Sequence, residues 1–67
     1  MQKGTIKTVT GKGFGFISRE GETKDLFFHS TELKNCRFNE LKVGDQVEFD
    51  VGSGPKGAFA SNIYVLN

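Results

Sequence analysis

Two short runs of the sequence, residues 12–17 and residues 26–29, are apolar on both faces when read with the two-residue period of a β-strand. The residues on the core-facing side are Ile17, Leu26 and Phe28. The rings on the other side belong to Phe14, Phe16 and Phe27. A domain this small normally makes its second face polar, so these rings need a partner. Flat ligands such as nucleobases stack on exposed rings and are the natural candidates.

The pattern along the rest of the chain predicts five short strands and no long helix. The predicted strands cover residues 3–9, 13–18, 25–29, 46–51 and 58–66. The first alternates imperfectly, which indicates a bulge. After the third strand, Ser30 should cap a single helical turn that Leu33 pins to the core. Residues 34–42 are predicted to form a long loop and the Gly-rich residues 52–57 a flexible one. Five short strands without a long helix indicate one small, closed or partly open β-barrel over residues 1–67.

Enough other apolar residues exist to fill such a barrel. The predicted core consists of Ile6, Val9, Ile17, Leu26, Phe28, Val47, Phe49, Val51, Ile63 and Val65. Three more rings would overfill this core, so Phe14, Phe16 and Phe27 are expected to stay on the surface, where a ligand can contact them. The alternation along the last strand places Phe59 on the same face as Ile63 and Val65 unless a bulge intervenes. The sequence therefore does not decide whether Phe59 faces the core or the solvent.

Composition narrows the class of protein. Sixty-seven residues make one domain near the lower limit for folding without a staple. The chain lacks a long apolar run and a charged, apolar leader, which argues against a membrane protein and against export and favours the cytoplasm. Cys36 is the only cysteine, so neither an internal disulfide nor a Cys-rich metal site is expected. His29 stands alone as a ligand-type residue, and no metal or cofactor is expected.

Charge is distributed less evenly than the net value of +1 suggests. The first nineteen residues contain basic side chains and no acid. Beside the rings, Lys7, Lys12 and Lys56 would meet phosphates and add a salt-dependent contribution to binding. Asp25 should face the same side as Phe27, where its carboxylate could accept hydrogen bonds from a base edge. The expected partner is therefore held by stacking and local positive charge.

These residues resemble the two RNP motifs of the cold-shock domain family, and the likeness covers essentially the whole chain. The matching stretches are Lys-Gly-Phe-Gly-Phe-Ile at 12–17, Asp-Leu-Phe-Phe-His at 25–29, Phe38 and Leu41, Val-Gly-Asp-Gln-Val-Glu-Phe at 43–49, Lys-Gly at 56–57 and Ala-Ser-Asn-Ile at 60–63. The resemblance implies a five-stranded antiparallel β-barrel of the OB type. It also implies binding of single-stranded RNA and DNA by a nucleic-acid chaperone, often in cold adaptation and in regulation of transcription or translation.

The chain also departs from the family pattern. The family usually carries Lys-Trp-Phe-Asn on its first strand, whereas residues 7–10 read Lys-Thr-Val-Thr and the following loop is one residue shorter. Thr8 therefore stands where a stacking Trp is expected, and Ser30 stands where another Phe is common. Phe59 occupies a position that is often polar and could replace part of the lost stacking. Without it, affinity should be weaker than is usual for the family.

Several alternatives accompany this hypothesis. An enzyme is not expected, because one His, one Cys and scattered acids supply no catalytic set and no small-molecule substrate is indicated. A small barrel that binds proteins through the same aromatic face remains open. Phe38 either contacts the nucleic acid or only anchors its loop to the barrel. A monomer is expected, with a dimer left open. The predicted binding residues are Lys7, Lys12, Phe14, Phe16, Asp25, Phe27, His29, Phe38, Lys56 and Phe59.

Overall fold

The computed structural model describes residues 1–55 and 57–66 and shows a closed five-stranded β-barrel. Its strands are β1 (Gln2–Val9), β2 (Phe14–Ser18), β3 (Leu26–His29), β4 (Gln46–Gly54) and β5 (Gly57–Val65). Around the barrel they follow the order β1-β2-β3-β5-β4, and the pairing of β1 with β4 closes the ring. The predicted fold class, an all-β barrel of five strands, is confirmed. Lys56, a predicted phosphate contact, lies outside the described residues.

One strand pairing differs from the antiparallel prediction. Strands β3 and β5 run parallel, with Phe27 opposite Phe59, whereas the other neighbours are antiparallel. The reason is geometric: strand directions cannot alternate all the way around a ring with an odd number of members. A closed barrel of five strands must therefore contain a parallel pair.

The core is formed by inward-facing residues of all five strands and one loop residue. The buried apolar residues are Ile6, Ile17, Leu26, Phe28, Leu41, Val47, Phe49, Ala60 and Ile63. Of the predicted core, Val9 and Val65 are partly buried against this cluster, and Val51 was predicted wrongly because it is exposed. The pairing of β4 with β1 ends at Phe49, so Val51 lies beyond the end of that neighbour and loses its cover.

Two bulges shift the side-chain alternation. In β1, the register moves by one residue between Ile6 and Thr8, so Lys7 and Thr8 both face outward and the predicted bulge is confirmed. In β5, a second shift occurs around Asn62, whose φ of 49° is left-handed. The second bulge lets Ala60 and Ile63, three residues apart, both point into the core. It thereby places Phe59 on the outer face.

The connections require three corrections. The first 3₁₀ helix, Ser30–Glu32, is capped by His29 and not by Ser30, while Leu33 packs against the core as predicted. The predicted long loop contains a second 3₁₀ helix, Phe38–Glu40. At its start the Arg37 amide donates to the Glu40 carboxylate at 3.1 Å, which caps the turn.

The predicted flexible loop at 52–57 is also mostly strand. Strand β4 continues to Gly54, which pairs with Gly57 across a tight hairpin. The ring of Phe59 covers the glycines of β4: a Cβ atom built on Gly52 would lie 2.9 Å from the Cζ atom of that ring. A neighbouring aromatic ring can replace the missing side-chain packing of strand glycines, which explains why the strand tolerates them.

Candidate nucleic-acid interface

The outer face of β2 and β3 carries the aromatic side chains that the sequence pattern placed there. On β2, Gly15 and Ile17 are buried, whereas the rings of Phe14 and Phe16, which alternate with them, remain half-buried on the outside. On β3, Phe28 is fully buried and Phe27 is 39% exposed. The predicted division between core rings and surface rings is confirmed for these strands.

Three of the outer rings form a cluster, which we call the ring triad: Phe14, Phe16 and Phe27. The centroid of Phe14 lies 5.7 Å from that of Phe27 and 6.3 Å from that of Phe16, and Phe16 lies 6.0 Å from Phe27. These are the tilted and edge-to-face distances of favourable aromatic pairs. The rings therefore hold one another in place on the surface before any ligand arrives.

Gly15 allows the triad to sit this close to the barrel. A Cβ atom at this position would collide with the carbonyl oxygen of Thr8 and would lie 2.8 Å from the ring of Phe28. Only a residue without a side chain fits between that core ring and the neighbouring strand. The glycine of the Phe-Gly-Phe motif is thus required by packing beneath the two surface rings.

The strand register places the outer residues in a row across the sheet. Thr8 of β1 lies opposite Phe16, which lies opposite Phe27, which in turn lies opposite Phe59 of β5. The row therefore has a threonine at its β1 end and a half-buried phenylalanine at its β5 end. This arrangement follows from the two bulges, since each turns its residue outward.

Charged side chains flank the triad. The Lys7 ammonium lies 3.5 Å from the Asp25 carboxylate, and both side chains are accessible to solvent, at 61% and 33% exposure. Lys7 therefore offsets the charge of the Asp25 carboxylate. Lys12 is exposed in the β1–β2 connection, where its amide donates to the Thr10 hydroxyl at 3.3 Å.

His29 extends the aromatic face next to Phe14, its partner in the β2–β3 ladder. The Thr31 amide donates to the Nδ1 atom of His29 at 3.2 Å. Because a backbone N–H can only donate, the neutral ring carries its proton on Nε2, the nitrogen on the opposite side. The cap thus fixes the ring orientation and leaves a donor free.

Phe38 is not brought to the ring triad. Its ring centroid lies 6.4 Å from that of Phe28, a core ring, and its half-buried side chain packs against the core cluster. The contact accounts for the anchoring of the Phe38–Glu40 turn. A direct contact of Phe38 with a ligand remains a prediction.

An open cavity of about 550 Å³ lies at the β5 end of the aromatic row. Its described lining consists of Phe27, Gly54, Pro55, Gly57, Ala58 and Phe59. Sequence reasoning missed this cavity, because the glycines were assigned to a flexible loop. The signal that could have revealed it is the combination of strand glycines with a nearby phenylalanine.

The described part of the chain was also searched for a reactive thiol, a metal site and a membrane-spanning helix. Burial, assisted by the Glu40 and Asp45 carboxylates, raises the pKa of the Cys36 thiol above its ordinary value. The thiol is therefore protonated at neutral pH and is a poor nucleophile. Residues 1–55 and 57–66 contain no group of three or more potential metal ligands. Within the same ranges, no helix has the length and apolarity needed to cross a membrane.

Comparisons with known proteins place the chain in a family. Residues 2–66 match the model of the 'cold-shock' DNA-binding domain. The cold shock-like protein CspD of Escherichia coli (strain K12) is 47% identical over 64 residues, which cover 94% of this chain and 86% of that protein. The probable cold shock protein A of Mycolicibacterium smegmatis is 42% identical over 67 residues, covering 98% of this chain and 100% of the relative.

A solved structure, CSD456 of Drosophila Unr, superposes with a TM-score of 0.81 at 34% identity. The match covers 98% of this chain and 26% of the Unr chain, so the present chain spans about a quarter of that structure's length. Proteins of the matching family bind nucleic acids and are not enzymes. By its matched residues, its closed barrel and its outward-facing rings, the chain belongs to the cold-shock domain family.

Proposed function

We propose that this chain binds single-stranded RNA and DNA with little sequence specificity through the outer face of β2 and β3. The observation that carries the proposal is the ring triad, three mutually supported rings on the surface of a barrel whose core is already filled. Stacking of a base on an aromatic side chain is worth about 1–3 kcal/mol and tolerates any base. Binding that does not depend on the hydrogen-bonding edges of the bases follows from this chemistry.

The flanking charges support the same ligand. Lys7 and Lys12 are exposed beside the rings, and Lys56 is the third lysine that the sequence assigns to phosphate contacts. Because Lys7 also pairs with Asp25, two to three such contacts correspond to a slope of about −1 to −2 when the logarithm of the binding constant is plotted against that of the salt concentration. A protein-binding barrel using the same face would not require this alignment of lysines with rings.

Binding of this kind makes the domain a nucleic-acid chaperone. A ligand that binds only the unpaired form of a hairpin shifts the folding equilibrium toward that form by mass action. Weak secondary structure is melted, while stable duplexes persist because stacking on few rings cannot compensate for many base pairs. We propose that the domain of residues 1–67 works in this way as a monomer in the cytoplasm, with cold adaptation and regulation of transcription or translation as the roles.

An NMR titration with a pyrimidine hexanucleotide, performed at low salt and at physiological ionic strength, tests the proposal. We expect saturable shifts of the ring signals of Phe14, Phe16 and Phe27, with an affinity that falls modestly as salt increases. The proposal is wrong if the folded protein shows no shifts at low salt. Shifts confined to the opposite side of the barrel would also contradict it.

A further inference from the structure

We propose that the cavity between Phe27 and Phe59 is a separate base subsite, into which one unstacked nucleobase of the bound strand enters. The inference rests on the proposed function and adds a position to it. The bound strand would then extend from the ring triad toward the β4–β5 hairpin, and not toward the β1 edge at Thr8.

Phe59 is held in a fixed position as one wall of this subsite. The bulge at Asn62 turns its side chain outward, and the β3–β5 ladder sets it opposite Phe27. Its ring rests on β4: Cβ atoms built on Gly52 and Gly54 would lie 2.9 Å and 3.5 Å from it. A ring supported by backbone on one side and by the ladder on another offers its remaining surface to a ligand at low entropic cost.

The described side chains that line the cavity can pack against the flat face of a base, but they offer no hydrogen bonds to the edge of that base. The described side chains around it, those of Phe27, Pro55, Ala58 and Phe59, contain only carbon and hydrogen. A volume of about 550 Å³ lies within the range of small-ligand sites and accommodates one base with room for its sugar. The base would be held by stacking and by removal of apolar surface from water.

Continuity with the ring triad identifies the occupant. Phe27 belongs both to the triad and to the cavity wall, so a strand stacked on the triad presents its next base at the cavity entrance. At the other end of the row, Thr8 has a hydroxyl and a methyl group and no π-face on which a base could stack. The aromatic surface is therefore asymmetric, and it favours extension of the bound strand across β5.

A cycle that combines protein and oligonucleotide changes tests the subsite. The affinity of the full chain for hexathymidylate is compared with its affinity for a series in which one nucleotide at a time is abasic. Each oligonucleotide is measured with the native protein and with Phe59→Ala. We expect Phe59→Ala to weaken binding of the intact oligonucleotide by roughly tenfold. At one position, removal of the base should weaken native binding by a similar factor and binding to Phe59→Ala by less than about twofold.

Two further variants separate base stacking from changes in folding. Phe59→Leu keeps apolar bulk over Gly52 and Gly54 but lacks the π-face. We expect it to retain the native stability and, like Phe59→Ala, to show little further loss of affinity when the base at the subsite position is removed. Tyr64→Ala removes an exposed ring from the outer face of the same strand, beyond the bulge, and should leave every affinity unchanged.

The outcomes distinguish the subsite from the proposed function. The subsite is refuted if every abasic substitution lowers the affinity of the native protein and of Phe59→Ala by the same factor. It is also refuted if Phe59→Ala binds the intact oligonucleotide as tightly as the native protein. In both cases single-strand binding stands. In that case an apolar side chain of a protein partner becomes the alternative occupant. If the native protein does not bind hexathymidylate, the proposed function itself fails.

Discussion

Thr8 and Phe59 occupy the two ends of one row of outward side chains, and together they set the character of the surface. Thr8 contributes no ring at the β1 end, whereas Phe59 contributes one at the β5 end. Both residues are visible in the sequence as departures from the family pattern. The outward direction of Phe59 could not be predicted, because a bulge at Asn62 decides it. Asn adopts left-handed backbone more readily than most residues, but this preference alone does not show that a given Asn lies in a bulge.

Restoring a ring at the β1 end should increase affinity. We expect Thr8→Trp to strengthen binding of a pyrimidine hexanucleotide by roughly tenfold, because the indole would stand beside Phe16 and add one stacking position. Fluorescence anisotropy with a labelled oligonucleotide measures the change. Lys3→Trp, on the outer face of β1 opposite Glu48, is the matched control and should give no gain. An equal effect of both substitutions would show that the row does not define the binding surface.

At the scale of strands and turns, the sequence predicted what depends on local pattern. The alternation on β2 and β3 identified which rings face the core, since neither strand contains a bulge. The environment of Val51 and of the glycines at 52 and 54 is non-local: it depends on where β1 begins and on the Phe59 ring that covers β4. The cavity between Phe27 and Phe59 could not be predicted either, because its walls come from strands that are distant in the sequence.

Gly15 provides a test of how β2 supports the surface rings. Gly15→Ala should reduce the free energy of unfolding by about 1–3 kcal/mol, because the added methyl group meets the Thr8 carbonyl and the Phe28 ring. Urea denaturation measures the loss. Gly11→Ala is the control, since nothing lies within 4 Å of a Cβ atom at that position, and it should change stability by less than about 0.5 kcal/mol. Equal stability of the two variants would mean that the space beneath the triad is not filled as described.

For the whole molecule, closure of the barrel links fold to function. Five strands enclose a core that is complete without the outer rings, so the triad is available to a ligand without loss of the fold. A partly open barrel, the alternative left by the sequence, would have offered these rings an interior to enter. The family resemblance could be read from the two motifs, whereas the geometric separation of core and surface required the closed structure.

The most direct test compares two surface rings of equal exposure. Phe27 and Tyr64 are both 39% exposed, but Phe27 lies in the ring triad and Tyr64 on β5 beyond the bulge, opposite Glu48. Affinity for a pyrimidine hexanucleotide and the free energy of unfolding are measured for Phe27→Ala and Tyr64→Ala. We expect Phe27→Ala to lose roughly tenfold in affinity at a stability similar to that of Tyr64→Ala, which should bind as the native protein does. Native affinity in a folded Phe27→Ala, or equal losses in both variants, would contradict single-strand binding by this face.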